Sequence, residues 1–227
     1  MTRYRACGGY IPNSRNWRRE MIERAWSVED IERSKFKELD FDGEWLREIG
    51  KPEMSGSWII MGPPKNGKST FAMMIAKYMT KFSRVYYNSI EEGRSKTIQL
   101  TQRRVEMKGT KGFSLAKENF DQMYSRLSQR KSPGIVIIDS LQFMELKFSE
   151  YKKLKEDFPD KIFIYISHVD GRKPDGKTAQ RIWRDSNVVA RVEGRRAFIE
   201  SRFEPDGKGY IDIDAEYANS YWQGQRR

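Results

Sequence analysis

The apolar positions of this chain change period along its length, and each change marks an element. From Asn13 to Trp26, the residues Trp17, Met21, Ile22, Ala25 and Trp26 recur at helical spacing among arginines, which predicts an amphipathic helix. Ser27-Val28-Glu29-Asp30 then resembles a capping box, and Ile31, Phe36 and Leu39 give a weaker apolar face for a second helix ending near Asp40. Asp42-Gly43 reads as a turn. Ser57 to Met61 is a short apolar run, and beyond a glycine-containing loop Phe71, Met74, Ile75, Tyr78, Met79 and Phe82 return at helical spacing: strand, loop, helix. The alternation continues with a strand at Arg84 to Ser89 and a helix carrying Ile98, Leu100, Arg103 and Arg104. A helix at Leu115 to Arg130, a buried strand at Gly134 to Asp139, a helix at Ser149 to Phe158 and a strand at Lys161 to Ser167 follow. Asn187 to Glu193 supplies another strand, and Ala197 to Phe203 with Tyr210 to Ile213 reads as a hairpin across Pro205 to Gly209. Strands alternating with helices predict an α/β fold, a mostly parallel sheet flanked by helices on both faces, closed by a C-terminal β-hairpin. Residues 1–50 are expected to form a helical accessory or oligomerisation segment, 51–215 the core, and 216–227 an aromatic and basic tail.

The loop after the first strand carries the chemistry. Gly62-Pro63-Pro64-Lys65-Asn66-Gly67-Lys68-Ser69-Thr70 fits G-x-x-x-x-G-K-[ST], the phosphate-binding loop of nucleoside triphosphate sites. Its expected ligand set is Gly62, Lys65, Asn66, Gly67, Lys68, Ser69 and Thr70: backbone amides cradle phosphates, Lys68 reaches the terminal ones, and the Ser69 hydroxyl ligates Mg²⁺. Pro63 and Pro64 lack amide donors, so the residues from Asn66 to Ser69 must supply most of the cradle. Ile135-Val136-Ile137-Ile138-Asp139 has the form of a Walker B strand, with Asp139 at its carboxyl end where it can meet Ser69 around the same Mg²⁺. Asn88-Ser89-Ile90-Glu91-Glu92-Gly93 sets two carboxylates at the tip of the strand after the phosphate-loop helix, a place from which one can orient an attacking water.

Charge adds a second partner. The 227 residues carry a net +11, yet residues 1–61 hold 11 basic and 11 acidic side chains while residues 62–130 hold 14 and 5. One nucleotide does not need that excess. A polyanion such as DNA or RNA suits it, and a solvated basic surface is the alternative. The single cysteine, Cys7, excludes an internal disulfide, and the apolar runs are too short to cross a bilayer; a reducing, cytoplasmic setting is expected. Cys7 and the one histidine, His168, are too few for a structural zinc site.

Taken together, GPPKNGKST, YYNSIEEG, IVIIDSLQFM and IYISHVDG resemble the RecA-type P-loop ATPase superfamily of recombinases, hexameric replicative helicases and circadian-clock ATPases, over about residues 56–215. The resemblance implies a Mg²⁺-dependent ATP hydrolase that forms a homo-oligomeric ring or filament and binds DNA, single-stranded in this family. It implies Lys68, Glu91, Asp139 and His168 as catalytic residues, with Glu92 in reserve for Glu91 and His168 as γ-phosphate sensor. Arg172, Lys173, Lys177, Arg181 and Arg184 follow in a polar segment expected to be mobile, where the family contacts DNA or the neighbouring subunit's ATP; the sequence does not divide the two jobs. Phe143 to Phe148 occupies the other DNA-loop position and reads equally as core. No separate DNA-binding domain is recognisable, which sets strand exchange apart from the expectation. An oligomeric ATP-dependent switch acting on a protein partner without DNA is the competing reading, and a small-molecule kinase fits the Glu91, Asp139 and His168 set less well.

Overall fold

The computed structural model describes residues 24–204, 206 and 209–224. Two compact units divide the chain between Phe36 and Lys37. In the first, the described residues form one short helix, α1 (Val28–Glu32), closed by reciprocal bonds between Ser27 and Asp30, the capping box read from the sequence. The helix expected at Asn13 to Trp26 lies almost wholly outside the described residues.

The second unit is built on an eight-stranded sheet. Its strands are β1 (Gly56–Met61), β2 (Val85–Ser89), β3 (Phe113–Ala116), β4 (Ile135–Asp139), β5 (Ile162–Ser167), β8 (Val188–Glu193), β9 (Arg196–Ser201) and β10 (Tyr210–Asp212), in the order β10-β9-β8-β1-β5-β4-β2-β3. A separate two-stranded ribbon joins β6 (Val169–Asp170) to β7 (Lys173–Pro174). From β3 through β8 all neighbours are parallel, and β8-β9-β10 turn back as the antiparallel hairpins that close the chain. β1, β2, β4 and β5 are apolar on both sides because both sides are covered. Alternate residues divide between two cores: Trp58, Ile60, Tyr87, Ile137 and Ile164 face one, Ile59, Tyr86, Val136, Ile138 and Tyr165 the other.

On the first face lie α2 (Gly43–Ile49) and α3 (Lys68–Met79), with α4 (Lys96–Arg104) packed against α3. On the second lie α5 (Phe120–Leu127), the one-turn α6 (Leu141–Met144), α7 (Phe148–Asp157) and α8 (Lys177–Asp185). The last helix, α9 (Ala215–Gly224), follows β10 and sets Trp222 edge-on against Phe198, 5.2 Å between ring centres. Trp222 thus packs on the C-terminal hairpin of its own chain. None of the described helices is long and apolar enough to cross a membrane.

Three elements differ from the expected ones, each for a tertiary reason. The helix expected to run to Asp40 stops at Glu32, because residues 37–41 turn their backbone to the 52–54 segment: Leu39 N donates to Pro52 O and Met54 N to Lys37 O, both at 2.7 Å. The helix expected from Leu115 starts only at Phe120. Phe113 and Leu115 are spent on the short parallel strand β3, and Asn119 and Gln122 form the capping box that opens α5. The segment expected to be mobile after His168 is the β6-β7 ribbon and α8, whose Ala179 and Ile182 are buried.

Residues 37–50, grouped by sequence with the accessory segment, supply Leu39, Phe41, Trp45 and Ile49 to the core. The indole of Trp45 stacks on Phe71 and Tyr78 of α3. Trp45→Ala is expected to cost ~3–5 kcal/mol of unfolding free energy in a urea titration. A truncation after residue 50 removes all four side chains and should give a chain without a cooperative transition, whereas one after Phe36 should keep it.

Candidate functional site

In-register parallel strands bring their carboxyl ends to one level. Ser89 pairs with Asp139, Ile138 with Tyr165, and Met61 with Ser167, so the residues just past β1, β2, β4 and β5 share one edge of the sheet. A cleft of about 550 Å³ opens there. Its walls include Lys65, Gly67, Lys68, Ser69 and Thr70 from the phosphate loop, Glu91 and Glu92 from the end of β2, Asp139 from β4 and His168 from β5. Of the sequence-predicted ligands, Gly62 and Asn66 lie behind this wall rather than in it.

The loop is held from behind by the C-terminal hairpins. A Cβ on Gly62 would lie 2.0 Å from the Val192 carbonyl oxygen of β8, so only glycine lets the loop leave β1 there. The Asn66 side chain bridges the loop to the β8-β9 turn, accepting from Gly194 N at 2.8 Å and donating to Pro64 O at 3.0 Å. Gly67, at φ 109°, sits in the left-handed region against Ile213 and Arg195 and hands the chain to α3. The Lys68 ammonium folds back onto the Pro63 carbonyl at 2.9 Å. Only 7% of Lys68 is exposed, and burial lowers its pKa against the raising influence of Asp139 and Glu91.

Asp139 is 6% exposed. Burial pushes its carboxyl up to about 6; the hydroxyls of Tyr87 and Ser69 pull it down and the charges of Glu91 and Glu92 push it further up. Tyr87, fully buried on β2, donates its hydroxyl to Asp139 Oδ2 at 2.7 Å, which leaves the other carboxylate oxygen for a ligand. Glu91 Oε2 lies 3.9 Å from His168 Nε2, and the Glu91 amide donates to Asp139 O at 3.3 Å. Burial, then the nearby Lys68 ammonium, lowers the His168 pKa, so the imidazole is neutral at physiological pH. Glu92 is turned aside: its Oε2 accepts from Ser95 and Thr97 at the start of α4.

Ser69 and Asp139 offer hard oxygen donors side by side, a set that suits Mg²⁺. Among the described residues no cluster of three His, Cys, Asp or Glu could hold a metal by itself. An ion that takes its remaining ligands from phosphate and water needs only the two.

Several groups escaped the sequence reading. Arg195, in the turn between β8 and β9, and Arg104, the last residue of α4, both line the cleft. Tyr87 reads as core, and nothing in the sequence marks its hydroxyl. Gln142, three residues past Asp139, donates to Ser167 Oγ (3.0 Å) and Asp175 O (2.9 Å) and accepts from His168 N (3.2 Å), tying the end of β5 to the chain entering α8. Its place after the Walker B strand was the one available signal. Arg172, Lys173, Lys177, Arg181 and Arg184 are exposed on the ribbon and α8 and line no part of the cleft; Arg181 stacks on Phe148 at 4.2 Å. Phe143 is exposed, while Leu141, Met144 and Leu146 around it are core.

A free aspartate titrates near 3.8 and Asp139 near 6, so the native chain holds the extra proton between those values and loses stability as pH rises through that window. Asp139→Asn cannot ionise. In metal-free buffer it is expected to exceed the wild type by ~1–3 kcal/mol at about pH 7.5 and to converge with it near pH 4, as read by thermal melts across pH.

No protein-family model matches the chain, and no curated protein matches it by sequence. Its structure is similar to solved ones. One solved ATPase domain superposes with a TM-score of 0.51 at 17% identity, over 73% of this chain and 84% of that one. The flagellar accessory protein FlaH from Methanocaldococcus jannaschii does so at 0.50 and 16%, over 78% and 92%. At these identities the likeness is one of fold: the chain has the RecA-like P-loop architecture, with its mostly parallel sheet and C-terminal antiparallel hairpin.

Proposed function

We propose that the chain is a Mg²⁺-dependent ATP hydrolase of RecA-like type that assembles with copies of itself and couples its nucleotide state to DNA, single-stranded by preference. One observation carries the hydrolase reading: Lys68, Ser69, Glu91, Asp139 and His168, which come from four strand ends, line a single cleft. The architecture shared with a solved ATPase domain supports the choice of ATP.

In this reading the amides of Gly67 to Ser69 hold the phosphates and Lys68 leaves the Pro63 carbonyl to follow the γ-phosphate. Ser69 and Asp139 would hold Mg²⁺, which would supply positive charge to the phosphates when bound. Tyr87 fixes the Asp139 carboxylate through one oxygen. Glu91 orients the attacking water and accepts its proton, and the neutral His168 beside it reads the γ-phosphate by hydrogen bond rather than by charge. Gln142 passes displacement of His168 to the Asp175 backbone and so to the basic ribbon and α8, the DNA-facing or neighbour-facing segment. The Glu91, Asp139 and His168 set favours hydrolysis over a kinase.

Lys68→Ala and Glu91→Gln are each expected to cut phosphate release by ~10²–10³-fold, with Glu91→Gln still binding ATP. Normal turnover in Glu91→Gln moves the carboxylate role to Glu92. Binding of single-stranded DNA at low salt, with and without ATP, tests the second half; its absence in both conditions leaves the protein-switch reading instead.

A further inference from the structure

The excess positive charge of residues 62–130 does not sit where the DNA-facing segment does. From Gly93 to Lys117 there are seven basic residues and one acid, Glu106. By contrast the ribbon and α8 intersperse their cations with Asp170, Asp175 and Asp185. α4 packs on α3, on the first face of the sheet, while α8 buries Ala179 and Ile182 in the core of the opposite face. The two basic surfaces are therefore separate.

On the α4 side the cations form a line. One shallow groove of about 400 Å³ is walled by Arg94, Ser95, Lys96, Ile98, Gln99, Gln102 and Leu115. A second, of about 530 Å³, is walled by Gln99, Gln102, Arg103, Glu106, Met107, Lys108 and Phe113. They share Gln99 and Gln102, so Arg94, Lys96, Arg103 and Lys108 flank one continuous track along α4 toward the edge strand β3. All four are exposed, and among the described residues none of them pairs with a carboxylate; the ion pairs nearby join Lys77 to Glu106 and Arg126 to Glu118. Between the cations stand the amide donors of Gln99 and Gln102, with half-buried Leu115 and Phe113 beneath.

We infer that this track is a second nucleic-acid surface, which holds a phosphodiester backbone independently of α8. Alternating cations and neutral donors over an apolar floor suit repeating monoanions spaced by sugars. The inference rests on the proposal that the chain binds nucleic acid, and adds where the excess charge is used.

The test compares the wild type with two triple variants: Lys96→Gln, Arg103→Gln and Lys108→Gln on the track, and Lys177→Gln, Arg181→Gln and Arg184→Gln on α8. Arg104 is left in place because it lines the nucleotide cleft. Binding of a fluorescent oligodeoxythymidylate is titrated against salt. The track variant is expected to bind at least about tenfold more weakly at low salt, with the slope of log K against log salt reduced by about 2, and to keep its basal phosphate release. A track variant that binds like the wild type, while the α8 variant fails, overturns the inference and leaves the proposed function standing. A wild type that binds poly-glutamate but no oligonucleotide overturns both.

Discussion

Parallel pairing in register is the constraint from which the rest follows. Once β1, β2, β4 and β5 lie side by side with both faces buried, every side chain able to do chemistry has to leave the sheet at the carboxyl ends of those strands. Phosphate loop, carboxylates and histidine are far apart in the chain, and no contact between them is needed to bring them together. The hydrogen-bonded ladders do so.

The cost of this arrangement appears as opposed electrostatics. Lys68 and Asp139 are both buried, and burial drives each toward its neutral form, so the site holds two poorly solvated charges of opposite sign. A structural ion pair would close on itself. Here the ammonium rests on a backbone carbonyl and the carboxylate on a tyrosine hydroxyl, which leaves both free to take other partners. Sites built to bind charge give up stability in this way.

Sequence alone revealed the strands and the loop, because both have local causes: a two-sided apolar run is legible residue by residue, and the phosphate loop needs glycine and lysine at fixed spacing. It also placed Glu91, Asp139 and His168 at strand ends, since where a strand stops is visible as the end of an apolar run. What escaped depends on the third dimension. β3 is four residues long and exists through its pairing to Val85–Asn88, and α8 is so basic that its two buried residues were outweighed by its charge. Leu39 and Phe41 took core positions in an extended segment, although Leu39 fits helical spacing in the sequence. Arg195 reaches the cleft only because the β8-β9 turn folds over Gly67, and no pattern in the chain announces that.

The Gly62 contact with Val192 has a consequence for how the molecule is made. β1 lies near the middle of its sheet, yet its two neighbours, β5 and β8, begin more than a hundred residues later in the chain. During synthesis the phosphate loop leaves the ribosome before the strands that flank β1. The carbonyl that backs Gly62, the amide that holds Asn66 and the arginine beside Gly67 all arrive about 130 residues after the loop. The phosphate loop is thus encoded before the contacts that hold it, and a nascent chain carries an intact motif well before it can carry a site.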